Sequence, residues 1–210
     1  MKANYANHLN AATAEDHGRP LVRYAGVALI DVRGDFPSVQ VGRTMAQRDA
    51  ALVRFVSQHH DAAYYADDPL EGDDFPAEMQ RLQVVHEVHR ANGWGGIGYH
   101  TYGFPSGRLY LVGSFDTQRA NVAGRNHKSI GHCTAGLWQQ TPPPIGSQLV
   151  AALASIAAWS YAGRMLPVIS HHDAARASDP TECCGATRDQ WVPRLPLAIE
   201  AIARTLHGTV

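Results

Sequence analysis

Val168-Ile-Ser-His171-His-Asp-Ala-Ala-Arg-Ala-Ser-Asp179-Pro-Thr181-Glu-Cys183-Cys-Gly185 gathers imidazole, carboxylate and thiol groups directly behind a short apolar run. Upstream of it, Leu149, Leu153 and Ile156 mark one face of a helix that begins near Ser147, and Met165-Leu-Pro-Val-Ile169 then reads as a strand that delivers His171. A helix feeding a strand whose end carries polar chemistry is a building unit of an α/β domain. The polar end has the composition of a metal site. Neutral imidazole and thiolate are preferred zinc ligands, and a catalytic zinc takes three protein ligands and keeps one position for water. Two ligands can come from this stretch, so a third has to come from elsewhere.

The rest of the chain repeats the alternation. Ala25-Gly-Val-Ala-Leu-Ile-Asp-Val32 reads as a first strand, followed by turn chemistry from Arg33 to Pro37. Leu52-Val-Arg-Phe-Val-Ser-Gln-His59 reads as a strand with β-branched and aromatic content that ends in the pair His59-His60. The acidic run from Asp67 to Asp74 is a loop, and Phe75-Pro76 opens a helix to about Ala91, stopped by Asn92-Gly93. His86 and His89 stand three apart on that helix, a spacing that can bind metal. With no carboxylate or thiol beside them, they read instead as one core-facing and one exposed residue. Gly95 to Tyr102 and Leu109 to Val112 read as strands joined by a turn around Pro105-Ser-Gly107, and Ser129 to Gly136 as a buried strand holding an inert Cys133. A last helix runs from about Leu197 to Leu206. The expected fold class is α/β, with helices around a central sheet.

Composition narrows the function classes. A chain of 210 residues, 45% hydrophobic and 18% charged, can build one substantial core. A net charge of -1 leaves no basic excess for a nucleic-acid surface. Three Cys, two of them adjacent, do not make a disulfide framework, so reduced thiols are expected. The 12 His far exceed the needs of one site, so no single His is evidence by itself. The first twenty residues are polar and lack an apolar signal region, and the run from Val150 to Trp159 is interrupted by Ser155 and short for a bilayer. A soluble chain made in the cytoplasm, with no stable membrane association, is the expectation.

Five blocks, taken in order, resemble the zinc-dependent N-acetylmuramoyl-L-alanine amidases that include phage endolysins and peptidoglycan-recognition proteins. They are His59-His60 at a strand end; Gly93-Trp94 through Gly98-Tyr99-His100; Asn126-His-Lys-Ser-Ile-Gly131; Pro144 to Leu149; and His171-His-Asp173 with Thr181-Glu-Cys183-Cys-Gly185. Each block alone is weak, but the ordered set is specific and covers about residues 45 to 195. The resemblance implies a mixed central sheet flanked by helices, with residues 1 to 44 as an N-terminal extension carrying a strand packed on the body and residues 45 to 210 as the catalytic domain.

The resemblance further implies a zinc ion held by His59, His171 and Cys183, with His60 as the competitor of His59. Cys183 lies twelve positions after His171, whereas relatives commonly place this ligand about eight positions on, where this chain has Asp179. Asp179-Pro180 therefore competes with Cys183, and residues 176 to 180 would be an insertion if Cys183 is the ligand. Tyr99 is implied beside the zinc water, Thr181 as a contact to the tetrahedral intermediate, and Asn126 on the substrate side. His100 reads as a core residue, and Asp173 either fixes a ligand tautomer or is solvated. Asn121 stands where many relatives have a His, and Cys184 where they have Pro. The implied reaction is hydrolysis of the amide between N-acetylmuramic acid and L-alanine by a monomeric endolysin acting on peptidoglycan. A non-catalytic peptidoglycan-binding domain and a cytosolic muropeptide-recycling amidase are the alternatives.

Overall fold

The computed structural model describes residues 18–25, 27–61 and 75–206; the acidic run from Asp67 to Asp74 and most of the polar first twenty residues lie outside them. Seven strands are formed where β-branched and apolar residues cluster: β1 (Leu21–Tyr24), β2 (Val27–Asp31), β3 (Phe55–His60), β4 (Thr101–Gly103), β5 (Leu109–Leu111), β6 (Ser129–Thr134) and β7 (Val168–Ser170). They make one mixed sheet in the order β1-β2-β5-β4-β6-β3-β7, with β4, β6, β3 and β7 mutually parallel. The helices are α1 (Phe75–Ala91), α2 (Ile145–Ala162), α3 (His171–Ala174), α4 (Arg188–Trp191) and α5 (Leu195–Leu206).

Strand residues alternate between the two faces, so neighbours in sequence enter different cores. Leu29, Val56, Ile130, Val150, Leu153, Ile199 and Ile202 pack together on the side of α2 and α5. Ile30, Leu82, Val85, Tyr102, Tyr110 and Cys133 pack together on the side of α1. Burial on both faces explains why β2 and β3 read as continuous apolar or mixed runs rather than as half-polar strands. This is the expected α/β architecture, a central mixed sheet flanked by helices. Helix α2 extends well beyond the apolar run seen in the sequence. By length and hydropathy it would suffice to cross a bilayer, but Ala151, Ala152, Ala154, Ala157 and Ala158 bury it in the core.

Three local findings differ from the sequence reading. Leu21 to Tyr24 form β1, antiparallel to β2, a strand the pattern did not disclose. Residues 95 to 98 are a loop and not the start of β4, because the chain from Ser38 to Val41 runs across them. The Val39 N–H donates to the Gly95 carbonyl at 2.9 Å, and a Cβ on Gly95, where φ is +78°, would lie 2.1 Å from the Val39 oxygen. Buried Arg119 completes this clasp by donating to Ser38 Oγ at 2.7 Å and to the Ile97 carbonyl at 3.2 Å. Finally, His86 and His89 are both buried, the first against Phe36 with ring centres 5.8 Å apart.

Helix α1 is tied to the end of β3 by a buried carboxylate. Asp61 Oδ2 accepts from Arg81 Nε at 2.6 Å and from the Tyr102 hydroxyl, while Oδ1 accepts from Arg81 Nη2 at 2.6 Å and from the Gly136 N–H at 2.7 Å. The charge is thus paired and its lone pairs are used, which is what makes a buried carboxylate tolerable.

Several buried imidazoles are held neutral. Burial depresses His89 to about 4 and His132, which shares a hydrogen bond with Thr101 Oγ1 at 3.0 Å, to about 3. The unfolded chain protonates these groups first, so the stability they contribute is complete above about pH 6.5 and is lost as pH falls toward their folded values. Each should cost about 2 kcal/mol at pH 5 relative to neutrality. Glu78, whose carboxyl is raised by burial, opposes this as a single group. The urea midpoint is expected to fall between pH 7 and pH 5; an unchanged midpoint would contradict this account.

Candidate metal centre

Strand pairing brings the two histidines together. The β3–β7 register ends with Gln58 opposite Ser170, so the next residues, His59 and His171, leave adjacent parallel strands side by side. Their ring centres are 4.4 Å apart. Ser170 caps the short helix α3 by accepting from the Asp173 N–H at 3.0 Å and donating to Asp173 Oδ2 at 2.6 Å. Asp173 therefore orients the start of α3 through Ser170.

The cysteine arrives on a returning loop. An isolated bridge between Arg176 and Asp179 closes the extra residues into an exposed turn. The chain then runs back beside α3, where the His172 N–H donates to the Cys183 carbonyl and His172 Nδ1 to the Thr181 carbonyl, both at 2.6 Å. Gly185 and Thr187 seat the far end of the loop on Trp138: a Cβ at position 185 would lie 2.3 Å from the Trp138 oxygen, to which Thr187 Oγ1 donates at 2.7 Å.

The donor atoms of His59, His171 and Cys183 all lie within 4.8 Å of one another. Cys183 Sγ is 3.7 Å from His59 Nδ1, close to the roughly 3.5 Å that tetrahedral zinc with ordinary Zn–N and Zn–S lengths imposes on its donors. Asp179 is exposed in its turn and is not one of this group. His60 Nδ1 is 3.3 Å from the same sulfur, yet His60 also stands outside the group. Burial holds His59 well below its ordinary value and His171 at about 4, so both are neutral ligands at pH 7. Burial also pushes the Cys183 thiol up to about 12, so a thiolate there calls for a cation beside it. The donor set and its spacing fit zinc.

Ser57 fixes the tautomer of His59. It lies two residues earlier on the same face of β3, and its Oγ is 3.1 Å from His59 Nε2. The Ser57 hydroxyl donates to Asn121 Oδ1 at 2.9 Å, which leaves its oxygen to accept from Nε2–H and turns the Nδ1 lone pair toward Cys183. Ser129 Oγ donates to the same Asn121 oxygen at 2.8 Å. Gly131 makes room for this bracket, since a Cβ there would lie 2.8 Å from Asn121 Cβ. Partners of metal-bound imidazoles typically govern affinity by 10- to 100-fold, so Ser57→Ala should weaken zinc binding by about that factor without changing the fold. Zinc competition against a chromophoric chelator measures it, and an affinity within about 3-fold of wild type would refute the bracket.

The three donors line a cavity of about 360 Å³ that Val85, Trp94, Tyr99, Asn121, Gln139 and Thr181 also line. Tyr99 stands over His59, with ring centres 5.0 Å apart, and against His89 at 5.5 Å. His89 Nδ1 accepts from the Gly98 N–H at 3.0 Å, which fixes the loop that carries Tyr99. Thr181 Oγ1 accepts from the Cys183 N–H at 3.2 Å. Asn126 does not line the cavity. Its Oδ1 accepts from the N–H groups of Asn121 and Val122 at 3.0 and 2.8 Å and shapes the loop that presents Asn121. His100 is wholly buried and accepts from the Gly131 N–H. The sequence reading did not place Trp94 or His89 at the cavity, where only the helical face shared by Val85 and His89 hinted at it; Asn121, singled out as standing where many relatives have a His, does line it.

This sheet order and helix placement constitute the fold of the N-acetylmuramoyl-L-alanine amidases and peptidoglycan-recognition proteins. The endolysin amidase LysCS from Clostridium intestinale URNW is similar over 77% of this chain and 93% of its own, with 19% identity and a TM-score of 0.56. A mutant of Drosophila PGRP-LB in complex with tracheal cytotoxin matches over 75% of this chain and 88% of its own, with 21% identity and a TM-score of 0.58. The Ph2119 endolysin of a Thermus scotoductus MAT2119 bacteriophage matches over 74% and 91%, with 19% identity and a TM-score of 0.54. No family model matches the chain, and no curated protein sequence does.

Proposed function

We propose that the chain is a zinc-dependent peptidoglycan amidase that hydrolyses the bond between N-acetylmuramic acid and L-alanine, and that it serves as a phage or prophage endolysin. The observation that carries this reading is the convergence of His59, His171 and Cys183 in the wall of a cavity, three side chains of the kind that a hydrolytic zinc uses. Bound there, zinc would lower the pKa of a water and polarise the scissile carbonyl. With zinc bound, the Tyr99 phenol would be available to orient the water, and the Thr181 hydroxyl, whose oxygen already accepts from the Cys183 N–H, would keep its proton to donate to the substrate oxygen as it gains charge. Trp94 and Val85 give the substrate an apolar wall. The endolysin setting, with synthesis in the host cytoplasm and action as a monomer on the wall, is proposed from the likeness to LysCS and Ph2119. Peptidoglycan as the bound polymer is proposed also from the tracheal cytotoxin held by the PGRP-LB mutant.

The test is bound zinc together with free L-alanyl termini released from purified walls. Stoichiometric zinc and release from intact walls are expected. Zinc-loaded protein that binds walls but frees no stem peptide from any wall type would make it a recognition protein. Cleavage confined to soluble anhydro-muropeptides would make it a recycling enzyme.

A further inference from the structure

We propose that His60 is a positioning residue of this centre, whose Nδ1–H donates to the Cys183 sulfur and sets the direction and charge of the thiolate that meets the metal. The inference rests on the metalloamidase reading above. His60 Nδ1 is 3.3 Å from Cys183 Sγ, nearer than His59 Nδ1 at 3.7 Å. His60 is nevertheless not a member of the group whose donor atoms all lie within 4.8 Å of one another, so it is assigned to the sulfur and not to the ligand set. A metal-bound thiolate can only accept, so the proton belongs on Nδ1. The opposite tautomer would aim the Nδ1 lone pair at the lone pairs of a sulfur 3.3 Å away.

The surroundings support that assignment. The neighbouring carboxylate, Asp61, has both oxygens engaged by Arg81, Tyr102 and the Gly136 N–H, so it does not draw the His60 proton. His60 is 9% exposed, so its ring is held in place by its neighbours. Its backbone carbonyl also lies 4.0 Å from the same sulfur, which places the whole residue against Cys183. The adjacent histidines thus divide the work: His59 binds the metal, and His60 holds the ligand that follows 123 positions later.

Cobalt-substituted protein tests this, because a sulfur-to-cobalt charge-transfer band reports on the thiolate directly. His60→Phe, which keeps a ring and removes the donor, should move the band to lower energy and weaken metal affinity by roughly 10- to 100-fold. His60→Asn, whose amide nitrogen stands where Nδ1 does, should restore both toward wild type. A folded Phe variant with the wild-type band and affinity overturns the proposal, as does a cobalt spectrum showing that a nitrogen ligand has been lost. If the Phe variant does not fold, ¹⁵N NMR of the wild-type zinc form decides: a proton on Nδ1 of His60 supports the proposal, and a proton on Nε2 or a metal-bound Nδ1 overturns it. Wild-type protein that takes up neither zinc nor cobalt overturns the metalloamidase reading itself, a separate result.

Discussion

Cys183→Ser is expected to strip the protein of zinc and to lower amidase turnover by roughly 10³-fold, the loss of several kcal/mol of Lewis-acid stabilisation. Serine matches the size of cysteine but offers a neutral hydroxyl in place of a soft thiolate, and zinc affinity depends on that replacement. Asp179→Asn should leave zinc content and turnover unchanged, because Asp179 is exposed in the turn that it shares with Arg176. Metal analysis after dialysis, paired with release of L-alanyl termini, separates the two. Full zinc in the Cys183 variant together with loss in the Asp179 variant would show that the loop closes differently on a metal than the structure describes.

The second large effect is on stability. Asp61→Ala should cost about 3–5 kcal/mol, because it breaks a buried ion pair by removing the carboxylate that Arg81 Nε and Nη2 both meet at 2.6 Å. Two further hydrogen bonds go with it, since the Tyr102 hydroxyl and the Gly136 N–H donate to the same carboxylate. Helix α1, which contributes Val85 and His89 to the cavity, then loses this tie to the end of β3 and keeps the apolar packing of Leu82 and Val85. Urea unfolding measures the change. A loss below about 1 kcal/mol would mean that water reaches Arg81, as for an exposed pair.

What could be read from the chain followed from periodicity and residue type. Strands β3, β6 and β7 and helices α1 and α2 were legible because their apolar residues recur at the spacing of the faces they bury. The α/β class followed from their alternation. The grouping of His59 with His171 was not legible from spacing, since it is set by the β3–β7 register, and only the ordered resemblance suggested it. The choice between Cys183 and Asp179 depends on a turn between Arg176 and Asp179 whose closure no local pattern announces. Ser57, and the bond by which Asn121 holds it, were missed for a related reason. Their importance lies in a chain of hydrogen bonds running between separate elements, and each looks ordinary in its own segment. Strand β1 escaped because Arg23 interrupts its apolar character and it sits at the sheet edge, where burial is partial.

The clasp between residues 38–41 and the 95–98 loop bears on how this chain can be shortened. A cut at residue 44 follows the limits of the sequence resemblance and looks like a minimal lytic fragment. It would strip β2 from β5, uncovering an unpaired strand edge of the kind that recruits other chains. It would also release the loop leading to Tyr99 from Ser38 and Val39. A fragment meant to keep both solubility and an ordered cavity should begin ahead of Leu21.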